Sequence, residues 1–272
     1  MEIKLFLNQT NIESIVFYRS FFGLLIIISI LILKKYRIKN LVTKNLKVHI
    51  LRSIAGTLAM ISGYLALNYV SLVHATTLGF TKIFFVIFLA HIVFKEKLSY
   101  FSLSFAFLGF VGICMSLNPS DFVEIYGTFL CIISSVFVSL GIMSVSFLSK
   151  KEKSISILFY HAFLSSLVTY IAFYNSIEIL SSTNFFAIFI ICVTALLGQY
   201  FNIVSYRDGK TSKIVIIGYS RIVFSFLLGY FILNETINLL QFFGLIVVIF
   251  STLAAVLVDK KNLKGKDKDF PD

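Results

Sequence analysis

Gly79-Phe80-Thr81-Lys82-Ile83 recurs in the second half of the chain as Gly218-Tyr219-Ser220-Arg221-Ile222. Glycine, aromatic, hydroxyl, cation, isoleucine: the classes agree position by position, and both copies sit inside long apolar runs. Each cation is followed at the same interval by a glutamate, Glu96 after Lys82 and Glu235 after Arg221. A charge deep in a membrane span costs at least about 2.5–3.5 kcal/mol, so one that is kept usually has a partner and a task. Two in register point to one site assembled from two related halves.

The runs around the two copies belong to a chain of 272 residues that is 58% hydrophobic, with a mean hydropathy of +0.93. Apolar stretches recur at close to the ~20 residues that a helix needs to cross ~30 Å of hydrocarbon. They are continuously apolar rather than alternating, which excludes a β-barrel reading. The fold class expected is all-α: a polytopic membrane protein with nine transmembrane helices. The spans are A (14–33), B (50–70), C (74–94), D (99–117), E (124–148), F (154–175), G (184–206), H (212–233) and I (237–258). Cys114, Cys131 and Cys192 fall inside these runs without paired spacing and read as small packing residues. Abundant Phe, Ile, Lys and Asn with Pro 2 and Trp 0 is the usage of an AT-rich bacterial genome.

The loops set the orientation. Basic residues crowd A–B (Lys34, Lys35, Arg37, Lys39, Lys44, Lys47), C–D (Lys95, Lys97), E–F (Lys150, Lys151, Lys153), G–H (Arg207, Lys210, Lys213) and the tail. The alternate connections, 71–73, 118–123, 176–183 and 234–236, hold no Lys or Arg, and Lys4 is the one base near the opposite end. The positive-inside rule then predicts a cytoplasmic C-terminus and an outside N-terminus in the inner membrane of a bacterium. It also accounts for the net charge of +11 without nucleic acid. Residues 1–13 read as an extracytoplasmic N-terminus, lacking signal-peptide flanks, and 259–272 as a disordered cytoplasmic tail.

The repetition extends further. Phe17-Tyr18-Arg19-Ser20-Phe21 in span A is echoed by Phe159-Tyr160-His161-Ala162-Phe163 in span F. Glu96 precedes a helix with Gly112, and Glu235 one with Gly244. Spans A–D thus correspond to F–I, running in opposite directions, with E between them. Inverted repeats are a signature of secondary transporters, whose sites lie near the bilayer midplane. The halves are 14–117, with four helices, and 118–258, with five.

Arg19, the Gly79–Ile83 and Gly218–Ile222 stretches, and Glu96 with Glu235 resemble the motifs of EamA-type members of the drug/metabolite transporter superfamily. The resemblance covers nearly all of 12–258. It implies two inverted five-helix repeats, of which the first helix has no counterpart here. It also implies transport of small polar metabolites, amino-acid or nucleoside-like. An upstream in-frame span, or a groove filled by lipid or a partner, is therefore expected. Ile83 stands where the family commonly has a proline, so span C is expected to be less kinked. The Tyr-Ser-Arg of span H resembles the Tyr-Arg of members described as S-adenosylmethionine uptake carriers.

Lys82 lies ~12 Å inside the outer end of its span, and Arg221 ~13 Å inside the cytoplasmic end of its own. No Asp or Glu lies deep in any span, so an anionic group of a solute is the expected partner. Snorkelling, or bonding to neighbouring carbonyls, is the alternative. Arg19 is a second candidate, against anchoring at the outer interface. His161 is a proton-coupling candidate, against a hydrogen-bonding strut. Tyr18, Tyr64, Tyr160, Tyr219, Gln199 and Asn202 complete the expected polar and aromatic lining, against plain interhelical bonding. A small-molecule substrate and the lipid bilayer are the partners expected, and a homodimer stays open. No cofactor, metal or catalytic residue is expected. A multidrug or cation exporter would need a membrane carboxylate. A membrane-embedded enzyme would need a motif that His49, His74, His91 and His161 do not form. A non-transporting remnant remains the third alternative.

Overall fold

A continuously apolar chain in lipid has no partner for its backbone polar groups but itself, and helices result. The structure, a computed structural model, describes residues 11–36, 41–70, 72–96, 100–117, 124–178, 180, 182–224, 227 and 238–266. The regular elements among them are helices: α1 (Ile12–Leu33), α2 (Leu46–Ala66), α3 (Leu72–Gly79), α4 (Lys82–Phe94), α5 (Tyr100–Leu117), α6 (Ile125–Ser149), α7 (Ser154–Phe173), α8 (Ser182–Asp208), α9 (Thr211–Ile217) and α10 (Leu239–Lys266). Asn11 starts α1 by accepting from the Ser14 amide at 3.0 Å.

Six described segments are long and apolar enough to cross a membrane: Ile12–Leu33, Leu46–Ala66, His74–Phe94, Ile125–Ser149, Ser154–Ser176 and Asn184–Asp208. Leu103–Ser116 and Leu239–Ala254 are apolar but shorter. Span H lies partly, and Glu235 wholly, outside the described residues, as do the expected N-terminal residues 1–10. From Asp259 the sequence suggests disorder, yet α10 continues to Lys266. Lys and Leu are good helix formers, and basic residues suit a helix C-terminus.

The packing suits a lipid solvent. Phe88, Phe101, Phe107, Ile171, Phe186 and Phe250 face outward, while Ser53, Ala55, Thr57, Ser139, Ser165 and Thr169 are buried between helices. Lipid gives no drive to bury apolar side chains, so helices associate through close approach and hydrogen bonds. α2 packs along α6, α5 along α10, and α1 along α7. The α5–α10 contact is backbone on backbone: a Cβ on Gly112 would lie 2.9 Å from the Gly244 carbonyl oxygen.

Both copies of the repeated pentapeptide break their helices. α3 ends at Gly79 and α4 begins at Lys82; α9 ends at Ile217, and helix resumes at 220–224. At each break, bonds three residues apart replace the usual four, as in Thr81 N–H to Leu78 O at 3.0 Å and Tyr219 N–H to Ile216 O at 3.0 Å. Span C is thus interrupted at Phe80 and Thr81 without the family's proline. Thr81 does part of a proline's work, its hydroxyl donating to the Leu78 carbonyl at 2.6 Å. The two breaks meet, with the Phe80 and Tyr219 rings 5.6 Å apart in a core shared by α4, α5, α6, α9 and α10.

Polar ties join distant segments at the ends. Lys95 turns into the left-handed region (φ 54°) and closes α4. Glu96 then caps α9, accepting from the Thr211 amide at 3.0 Å and the Ser212 hydroxyl at 2.6 Å. Between α6 and α7, Glu152 accepts from Thr43, from Asn45 Nδ2 at 3.0 Å and from His49 Nε2 at 2.8 Å. At the opposite end, Tyr18 donates to the Glu178 carbonyl at 3.1 Å, and the Glu178 amide donates to Ser14 Oγ at 2.8 Å.

Candidate functional site

The helices leave a central cavity of about 700 Å³, into which α1 brings Arg19, α2 brings Arg52 and α7 brings His161. α8 adds Gln199 and Asn202, and the two helix breaks add Lys82 and Arg221. Six of the ten sequence-predicted residues thus line one space: Lys82, Arg221, Arg19, His161, Gln199 and Asn202.

The other four sit elsewhere. Tyr64 stands behind the lining and accepts from Arg19 Nη1 at 2.8 Å, holding that guanidinium in place. Tyr18 is at the Glu178 end, Tyr160 packs its ring 4.5 Å from that of His49, and Tyr219 is fully buried. The Tyr219 hydroxyl donates to the Ala106 carbonyl at 2.9 Å, so it braces α5 beneath the cavity.

Arg52 is the residue that sequence reading missed. Span B was expected to begin at 50, which would leave Arg52 at a helix mouth. α2 begins at Leu46 instead, which puts Arg52 ~9 Å along the helix. Its Nη2 donates to Gln199 Oε1 at 3.1 Å, and its buried Nε has no hydrogen-bond partner. A Cβ at Gly56 would lie 2.8 Å from Arg52 Nη1 and 2.9 Å from His161 Cε1, so the glycine makes room for both. Thr57 donates to Ser165 Oγ at 3.1 Å, and Ser165 Oγ lies 3.2 Å from His161 Nδ1. Thr57, Ser165 and His161 thus form one chain of polar contacts across α2 and α7.

Lys82 and Arg221 share one ring. Lys82 Nζ lies 5.5 Å and Arg221 Cζ 5.4 Å from the Phe80 centroid, within cation–π range. Lys82 is also the first residue of α4, where the positive end of the helix dipole adds to its charge. The cavity thus gathers four cationic side chains, and the described lining includes no Asp or Glu. Such a space can grip anionic groups.

One solved crystal structure resembles this fold with a TM-score of 0.78, over 92% of this chain and 89% of its own, at 11% identity, a likeness of fold alone. A Helicobacter pylori protein, named an uncharacterized transporter, is 29% identical across 89% of this chain and 84% of its own length. Proteins of Rickettsia conorii and Rickettsia prowazekii, named S-adenosylmethionine uptake transporters, are each 26% identical across 93% of this chain and 85% of their own. The EamA-like transporter family matches residues 1–118 and 125–257. With nearly the whole chain matched, and with apolar helices able to cross a bilayer, this multi-pass membrane protein belongs to the EamA-like transporter family.

Proposed function

We propose that the chain is a secondary transporter that carries a small polar metabolite with an anionic group, alternating access between two inverted repeats. The observation that carries this reading is the convergence of Arg19, Arg52, Lys82 and Arg221 on one cavity without a described carboxylate. Broken helices at the cavity support it, since carriers of this kind place solute at such breaks. The family match in two stretches, 1–118 and 125–257, supports the two-repeat division. The basic loops support a bacterial inner-membrane setting with the N-terminus outside. S-Adenosylmethionine, the solute in the names of the Rickettsia relatives, has a carboxylate for these cations and is one candidate. Cation export is the weaker reading, because the described cavity would repel its cargo.

The test is uptake of a labelled metabolite panel into proteoliposomes holding the purified protein. Saturable uptake of a carboxylated or phosphorylated solute, lost in Arg221→Met, is the expected result. Uptake of organic cations alone would replace this reading with the exporter.

A further inference from the structure

A groove of about 590 Å³ lies between α1, α7 and α8, toward the end where α1 stops, α7 starts and α8 stops. Its wall is apolar: Ile26 and Ile30 of α1, Ile155 and Leu158 of α7, Val193 and Leu197 of α8. Leu197 is 53% and Tyr200 45% exposed, so the groove opens sideways to the hydrocarbon. Among the described residues Leu196 alone lines both it and the central cavity. The mouth of the groove is basic. Lys34, the C-cap of α1, and Lys153, the N-cap of α7, line it and are both exposed. Behind them Arg207 Nη2 donates to Ser154 Oγ, itself in the lining, at 2.8 Å. Lys153 Nζ stands 5.7 Å from the centroid of Tyr36, a residue type that favours the headgroup level. The described lining holds no Asp or Glu, and Glu152, next in the chain to Lys153, has its carboxylate engaged by Thr43, Asn45 and His49. The positive end of the α7 dipole adds to the charge of the mouth.

An apolar bed that ends in positive charge matches an amphiphile with an anionic head. From Ile26 to Lys34 the groove runs ~12 Å along α1, close to the ~15 Å of hydrocarbon in one leaflet. We infer that the groove seats one phospholipid of net negative headgroup, its acyl chain along α1 and α8 and its phosphate held by Lys34 and Lys153. A soluble phosphate would use the mouth and leave the wall bare. A zwitterionic lipid would fill the wall but bring its own cation to the two lysines. On the repeat reading α1 belongs to one half and α7 and α8 to the other, so the seated lipid bridges the halves and stabilises the folded protein by mass action. None of this depends on which solute the central cavity carries.

The experiment is native mass spectrometry of the full chain, titrated with phosphatidylglycerol or phosphatidylcholine of identical acyl chains. Wild type is expected to hold one phosphatidylglycerol about tenfold or more tighter than phosphatidylcholine, and to melt at a higher temperature with it. The paired change Lys34→Gln with Lys153→Gln should weaken that lipid about 25-fold, at about fivefold per lysine. Lys150→Gln with Lys151→Gln removes equal charge nearby but outside the groove lining, and should change the affinity little. Leu197→Trp fills the wall while keeping both lysines, and should weaken the lipid as well. Melting temperature without added lipid checks that each variant is folded. Equal losses in the two paired variants would mean diffuse attraction to a basic surface and would overturn the inference. It would also fall if phosphatidylcholine bound as tightly, if sn-glycerol 3-phosphate displaced the lipid, if Leu197→Trp bound normally, or if the chain formed a dimer that excludes the lipid.

Discussion

At the scale of single residues, the cavity depends on what is absent at position 56 as much as on the charges around it. Gly56→Ala would drive a methyl group against Arg52 Nη1 and His161 Cε1, both closer than 3 Å to where it would sit. Both ends belong to side chains that can swing, so the fold should survive while the grip on solute loosens. Unchanged solute affinity in this variant, measured beside its melting temperature, would show that the position of Arg52 is immaterial. Lys82→Met and Arg221→Met should each weaken solute binding by a factor of ~10 to over 100, the loss of one charge-assisted hydrogen bond. With Lys82→Met the empty protein should melt no earlier, since a desolvated cation has been removed. Early melting with normal affinity would make them struts. Lys82 and Arg221 were legible because the repeat marked them twice. Arg52 was not, since it has no echo and sits where a sequence-based boundary is least certain. Tyr219 was misplaced because a residue on a helix break points in a direction that no periodicity encodes.

At the scale of elements, the helices were legible and their faces were not. A span apolar all round has no stripe to show which side meets protein, so pairings such as α2 with α6 had to come from the structure. The α5–α10 contact makes one such pairing testable. Gly244→Val should lower the melting temperature by several degrees, because its side chain would run into the Ser116 backbone and the Gly112 carbonyl. A variant as stable as wild type would mean that these helices part freely. The tie between the α6–α7 turn and the start of α2 is sensitive to acid. Burial acts to raise the Glu152 pKa, but bonds from Thr43, Asn45 and His49, together with the charge of His49, outweigh it and hold it below the ordinary 4.5. A depressed folded-state pKa gives stability that is present above the unfolded value and lost as pH falls through the folded one. Thermal stability should therefore fall more steeply below about pH 4.5 in wild type than in Glu152→Gln. Parallel profiles would remove Glu152 as the cause.

At the scale of the whole molecule, orientation follows from where the basic residues lie. Reporters fused after Lys47, Lys153 and Lys268 should be cytoplasmic, and those near Ser120 and Ser181 external. One clear inversion among them would reverse the orientation and undo the inverted-repeat argument. That argument gives the contact between Phe80 and Tyr219 a further meaning. Where two equivalent points of a twofold arrangement touch, the axis passes midway between them, because each is the image of the other. Phe80 meets its echo Tyr219, and α5 packs along α10, the helix that the repeat reading pairs with it. In the repeat reading, the pseudosymmetry axis therefore passes between the Phe80 and Tyr219 rings and between the packed helices α5 and α10. On that reading, a rotation of one half against the other about the axis would keep the Phe80–Tyr219 contact and strain ties between the halves such as those at Glu96 and Glu178. The Phe80 ring, with a cation of each half beside it, would then sit at the fulcrum of such a turn.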